Sequence, residues 1–138
     1  MSKILVVGGS GFIGSHVADK LTEDNHEVVL LDVKESKYRA DNQKMIIGDN
    51  LDAKKLDDIL ETGFDYVYNF SSIADINDAK ENYNSMIDVN LKGHLNLMQS
   101  CSRTNVKRYI YSSSLYVYSN YGSMYKASKQ SAELFSKN

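Results

Sequence analysis

Ile4-Leu5-Val6-Val7-Gly8-Gly9-Ser10-Gly11-Phe12-Ile13-Gly14 opens the chain with a short apolar run that breaks into glycines. The run is rich in β-branched residues and stops at glycine, as a strand buried on both faces does. Beyond it, Ile13, Val17, Ala18 and Leu21 recur at helical spacing, so residues 12–24 are expected to form an amphipathic helix. A strand, a glycine turn and a helix in direct succession start an alternating α/β pattern.

The pattern continues outward from that unit. Residues 27–32 (Glu-Val-Val-Leu-Leu-Asp) read as a second buried strand, 44–48 as a weaker third, 66–70 as a fourth and 107–112 as a fifth. Ala53, Leu56, Ile59 and Leu60 mark a helix that stops at Gly63. A longer helix is expected over 84–104, with Ile87, Leu91, Leu95 and Met98 on its apolar face, and a last one over 124–135. The polar stretch 33–43 holds a reduced helix or only a loop. Strands alternating with helices predict one domain over 1–138, an α/β doubly wound parallel sheet (a Rossmann fold) of about five strands in the order 3-2-1-4-5.

Composition narrows the partners. The 138 residues carry a net charge of −2, which offers no field for nucleic acid or an anionic membrane. No run approaches the roughly 18 apolar residues of a membrane span. The apolar N-terminal stretch ends at Gly8 with no small-residue cleavage pattern, so the expected compartment is the cytoplasm. The one cysteine, Cys101, permits no intrachain disulfide and no cysteine-based zinc site, and is expected in the core.

The glycine turn carries the first chemistry. Glycine lets a backbone turn tightly and approach a pyrophosphate, and the helix behind it presents unpaired N–H groups and a positive dipole end to that anion. Gly8, Gly11, Phe12, Ile13 and Gly14 are therefore candidate dinucleotide contacts. Asp32 closes the second strand, where a carboxylate accepts from ribose hydroxyls and repels the extra phosphate of NADP. That favours NAD, while Lys34 beside it keeps NADP as the lesser alternative. Gly48-Asp49-Asn50 follows the third strand; Asp49 is suited either to the adenine amino group or to capping the helix from Ala53.

Tyr125-Lys126-Ala127-Ser128-Lys129 carries the second. Four residues apart, Tyr125 and Lys129 share a helix face, and a nearby ammonium favours a phenolate. Ser112-Ser113-Ser114 lies past the fifth strand, where ligand groups of such sheets collect. A serine there can hold a substrate hydroxyl while Tyr125 moves its proton.

Taken together these stretches resemble the extended short-chain dehydrogenase/reductase family, specifically its NAD-dependent nucleotide-sugar epimerases and dehydratases of the UDP-glucose 4-epimerase type. The matching stretches are 7–16, Gly48-Asp49, Asp88-Val89-Asn90-Leu91-Lys92-Gly93, 108–114 with Val117-Tyr118, and 125–129 with Glu133, in family order. The resemblance implies Ser114 as catalytic serine, Tyr125 as acid/base and Lys129 as its partner, which also holds the nicotinamide ribose. It implies Phe70, Ser71 and Ser72 along the cofactor, Asn90 near its nicotinamide side, and Ser112 among the cofactor contacts together with Asp49 and Asn50. For Asn90 a polar contact inside the helix is the other reading.

The implied function is hydride transfer on a nucleotide sugar with NAD. Two other functions stand beside it: a non-catalytic dinucleotide-binding module, and a short-chain reductase of a small carbonyl compound. The segment 32–49 and the six-residue gap between Tyr118 and Tyr125 are shorter than the family's. The chain also stops at Asn138, before the family's C-terminal substrate-binding domain, so it is expected to be the cofactor-binding part of a longer enzyme or, as the other reading, a minimal protein that keeps only the cofactor half. Family members dimerise through the long helix and the Tyr125 helix. A homodimer is expected here, with Met124, Leu134 and Phe135 adding apolar surface or packing onto the sheet.

Overall fold

A computed structural model of the chain describes residues 1–74 and 82–137. Its centre is β1 (Lys3–Val7), flanked by β2 (Glu27–Asp32) and β4 (Tyr66–Asn69), with β3 (Lys44–Ile47) outside β2 and β5 (Arg108–Tyr111) outside β4. All neighbours are parallel, in the order β3-β2-β1-β4-β5. In register, Val7 pairs with both Leu31 and Asn69. The strands therefore end level, and Gly8, Asp32 and Phe70 emerge together at one edge of the sheet.

Successive strand residues point to opposite faces, and both faces are covered. Leu5, Val7, Val29, Leu31 and Val67 pack with Leu56, Ile59, Leu60, Leu97 and Cys101 on one side. Ile4, Val6, Val28 and Leu30 pack around Ala18 on the other. This double burial is why β1 and β2 read as unbroken apolar runs. Cys101 sits in the first cluster as expected, its thiol pushed up to about 12 by burial.

The helices corrected several expectations. Helix α1 (Phe12–Glu23) presents Gly14, Ser15 and Ala18 to the sheet, whereas Ile13, expected on the apolar face, is 56% exposed. The small residues face inward because the glycine turn brings the start of the helix against the end of β1. Helix α2 (Ala53–Leu60) is capped by Asp52, which accepts from the Lys55 N–H at 3.0 Å, so the capping role considered for Asp49 belongs to Asp52. The 33–43 stretch is a loop without a helix. Gln43 anchors it, its amide donating to Asp19 and Thr22 at 3.0 Å each.

The long helix is continuous but not uniform: α3 (Tyr83–Ile87), a π turn (Asp88–Lys92) and α4 (Gly93–Arg103). Its buried side is Met86, Asn90, His94, Leu97 and Cys101. Of the expected apolar face, Ile87 is 41% exposed, while Leu91, Leu95 and Met98 are half-buried beside that buried side. Apolar spacing does not single out the most buried side because Asn90 and His94 are polar yet fully hydrogen-bonded inside. A 3-10 turn (Leu115–Tyr118) then leads to α5 (Ser123–Ser136).

Candidate functional site

The level strand ends enclose a cleft of about 400 Å³. Its walls are Val7, Gly8, Gly11, Leu31, Asp32, Val33, Gly48, Asp49, Asn50, Phe70, Ser71, Ser72, Ile73 and Val89. Eight residues singled out from the sequence meet here: Gly8, Gly11, Asp32, Asp49, Asn50, Phe70, Ser71 and Ser72. Phe12 and Ile13 stand exposed at the α1 end of the turn, and Lys34 stands exposed over a neighbouring groove with Asp32.

The turn is built by close contact. Gly8 has φ +77°, and a Cβ on it would lie 2.6 Å from the Ser71 nitrogen and 2.7 Å from the Phe70 carbonyl carbon. A Cβ on Gly14 would overlap the Gly8 carbonyl oxygen. Gly11 caps α1 with no side-chain hydrogen bond, and the first turn holds no acidic residue. Asp32 ties this turn to β2: one carboxylate oxygen accepts from Ser10 N–H at 3.0 Å, the other from Lys34 N–H at 3.3 Å. The Ser10 hydroxyl donates to the Lys34 carbonyl at 2.6 Å.

The floor is polar and ordered. Asn50 donates its amide to the Ser71 hydroxyl at 2.9 Å and to the Val89 carbonyl at 3.1 Å. The Ser71 hydroxyl donates to Asn69 at 2.6 Å. The Ser72 hydroxyl, by contrast, is buried in the wall with no hydrogen-bond partner among the described residues. Asp49 accepts from the Leu51 N–H at 3.0 Å in a local turn.

A second cluster lies at the end of β5. Tyr125 and Lys129 share the buried side of α5, as the spacing predicts. Lys129 is 3% exposed; its Nζ donates to the Ser112 carbonyl at 2.9 Å and lies 4.9 Å from the Tyr111 ring and 5.7 Å from the Tyr125 ring. Removal from water pushes this ammonium down to about 8. Ser114 caps the 3-10 turn, its hydroxyl accepting from the Tyr116 N–H at 3.3 Å, and the Tyr116 ring meets the Tyr125 ring edge-on at 6.0 Å. Ser113 donates to Glu133.

Asn90 joins the two clusters. It is 2% exposed; its carbonyl accepts from Ile73 N–H at 2.7 Å, and its amide donates to the Ile73 carbonyl and the Ser128 hydroxyl, both at 3.1 Å. Both amide protons are thus taken up inside the protein, and of its two readings Asn90 fills the internal polar contact. It holds Ile73, a cleft wall, against the helix that carries Tyr125 and Lys129.

Residues 4–137 match the family model described as the NAD dependent epimerase/dehydratase family. The chain belongs to this family. Among curated relatives, it is 30% identical over 131 residues to a bifunctional UDP-glucose 4-epimerase and UDP-xylose 4-epimerase of Pisum sativum, covering 84% of this chain and 37% of that one. It is 32% identical over 127 residues to a UDP-glucose 4-epimerase of Klebsiella pneumoniae, covering 84% and 91%. Among solved structures, the UDP-glucose 4-epimerase of Thermotoga maritima with UDP-glucose superposes at a TM-score of 0.91 with 25% identity, covering 98% of this chain and 50% of that one. The Brucella ovis enzyme in complex with NAD gives 0.89 and 27%, covering 98% and 46%. The chain spans 37% to 50% of the pea, Thermotoga and Brucella proteins.

Sequence reading missed several residues that shape the site in this family member. Ile73 and Val89 line the cleft, and Tyr111 and His94 pack behind Lys129. Ile73 was within reach, as the residue after Ser72 at the end of β4. Ser112 contributes its backbone carbonyl to Lys129, which no side-chain pattern announces.

Proposed function

We propose that this chain is the NAD-holding part of a nucleotide-sugar epimerase or dehydratase, with NAD preferred over NADP. The observation that carries this reading is the junction of Asp32 with the glycine turn at the cleft. A glycine turn packed so closely that a Cβ on Gly8 would strike the Phe70–Ser71 backbone, a helix start without a side-chain cap and a carboxylate beside them fit a pyrophosphate and a ribose. In this reading Gly8, Gly11, Phe12, Ile13 and Gly14 hold the pyrophosphate. Asp32 and Lys34 flank the adenosine ribose, and Asp49 and Asn50 the adenine. Phe70, Ser71 and Ser72 line the path toward Ser112, Tyr125 and Lys129, with Asn90 acting through Ile73. The unpartnered Ser72 hydroxyl supports a polar ligand along that wall.

When bound, NAD supplies a hydride acceptor and donor. The chain's own residues manage the proton. Tyr125 takes it from a sugar hydroxyl, Ser114 orients that hydroxyl, and Lys129 brings positive charge to the phenol ring. A nucleotide sugar is the proposed substrate because the relatives are named as UDP-sugar epimerases. Calorimetric titration tests the cofactor half: NAD is expected to bind at least about tenfold tighter than NADP, and equal affinity counts against the reading. Interconversion of UDP-glucose and UDP-galactose that persists in Tyr125→Phe would remove the assigned acid/base.

A second copy of the chain is the proposed partner. Ile87 on the long helix and Leu134 and Phe135 on α5 are exposed, and Leu91, Leu95 and Met98 beside Ile87 are half-buried. Met124 instead packs with Met86 and Tyr125. Sedimentation at low concentration showing only monomer would overturn the dimer.

A further inference from the structure

Lys129 is a nearly inaccessible cation with one carbonyl, that of Ser112, as its hydrogen-bond acceptor among the described residues. An ammonium has three donors, and one neutral acceptor is a weak substitute for water. Something else must favour the charge. The face of Tyr111 is the nearest candidate, 4.9 Å from Nζ and within the range of a cation–π contact.

The Tyr111 ring is braced. His94 packs against it with centroids 4.4 Å apart. His94 is fully buried and fixed at both ring nitrogens. The Asn69 amide donates to the Tyr109 hydroxyl at 2.8 Å, so the Tyr109 proton is directed at His94 Nδ1, also at 2.8 Å. That leaves Nε2 as the protonated nitrogen, donating to the Ser136 hydroxyl at 3.1 Å, which donates in turn to the Ala132 carbonyl at 2.8 Å. Burial holds His94 neutral, down to about 4. The brace therefore puts no second charge beside Lys129.

The Tyr111 hydroxyl is buried without a hydrogen-bond partner among the described residues. What the residue contributes is its ring. We propose that Tyr111, held by His94, is a positioning residue that keeps the Lys129 ammonium charged and seated beside Tyr125 through its π face. The consequence for catalysis rests on the proposed role of Lys129 as partner of Tyr125; the contact itself does not. Among the described residues, the other titratable groups near this pair are Tyr109 on β5 and Tyr125 and Glu133 on α5, and Glu133 is engaged by Ser113.

The test is the titration of Lys129 in the chain without cofactor, followed by NMR of carbon-labelled lysine side chains and assigned with Lys129→Arg. Tyr111→Phe keeps the π face and is expected to leave the titration near its starting value. Trifluorinated phenylalanine at position 111 keeps the shape but cancels the quadrupole, and is expected to lower the Lys129 pKa by about 1 unit. Both substitutions are close to isosteric, so folding is preserved. A fall with Tyr111→Phe, or no fall with the fluorinated ring, overturns the proposal. A parallel NAD titration reports on the cofactor reading separately, so failure of either is recognised on its own.

Discussion

The carbonyl oxygen of Gly8 occupies the space where a side chain at Gly14 would begin. The end of β1 and the first turn of α1 are in backbone contact there, and neither side is a flexible side chain that can swing away. Gly14→Ala is expected to cost about 2–3 kcal/mol of stability and to weaken NAD binding at least tenfold. Urea denaturation and calorimetry check the two effects.

Asp32 braces Ser10 in the same corner, and in the proposed reading it also meets the cofactor. Asp32→Asn keeps the hydrogen-bond acceptor and removes the charge. The expected outcome is a fall in the NAD-to-NADP affinity ratio of about tenfold with little change in melting temperature. An unchanged ratio would separate Asp32 from cofactor choice.

His94 sets an acid limit on stability. The unfolded chain takes up a proton there near the ordinary value of 6.5, whereas the folded chain resists to about 4. Between those values the unfolded state binds more protons, so stability falls as pH drops through the window and is complete above it. The contribution is about 3 kcal/mol. Denaturation midpoints from pH 7 to pH 4 should show the slope, and His94→Gln should flatten it.

Lys129 lies where burial disfavours its charge. Lys129→Met replaces the ammonium with an apolar chain of similar reach and is expected to leave stability unchanged or raise it by about 1 kcal/mol. Turnover of a UDP-sugar by the same variant is expected to fall at least a hundredfold. Loss of stability in step with activity would make Lys129 a structural residue.

Leu95 is half-buried on α4 and stands outside the core clusters of the described residues. Leu95→Glu is expected to shift a dimer to monomer in sedimentation while the circular dichroism spectrum is kept.

Much of this arrangement was legible because it is local. A β-branched run ending in glycine, followed by a helix, needs only chain geometry. Asp32 is found by its place at the end of β2, and Tyr125 and Lys129 by helical spacing. Other features were illegible for a common reason. Asn90 and His94 look like surface residues until their partners are known, and those partners, Ile73, Ser128, Tyr109 and Ser136, are 15 to 42 residues away in the chain. Hydrophobic spacing therefore did not single out the most buried side of the long helix. The cap of α2 is Asp52, directly before Ala53, while Asp49 closes a local turn on Leu51.

Sequence alone determined the alternation of elements, the strand order and the glycine turn, because backbone sterics, side-chain periodicity and crossover handedness act over short stretches. Tertiary structure decided which side of each helix is buried, that Asn90 links the two clusters, and that Tyr111 and His94 stand behind Lys129. Those outcomes depend on desolvation: a polar group enters the core only where partners from other elements already wait for it.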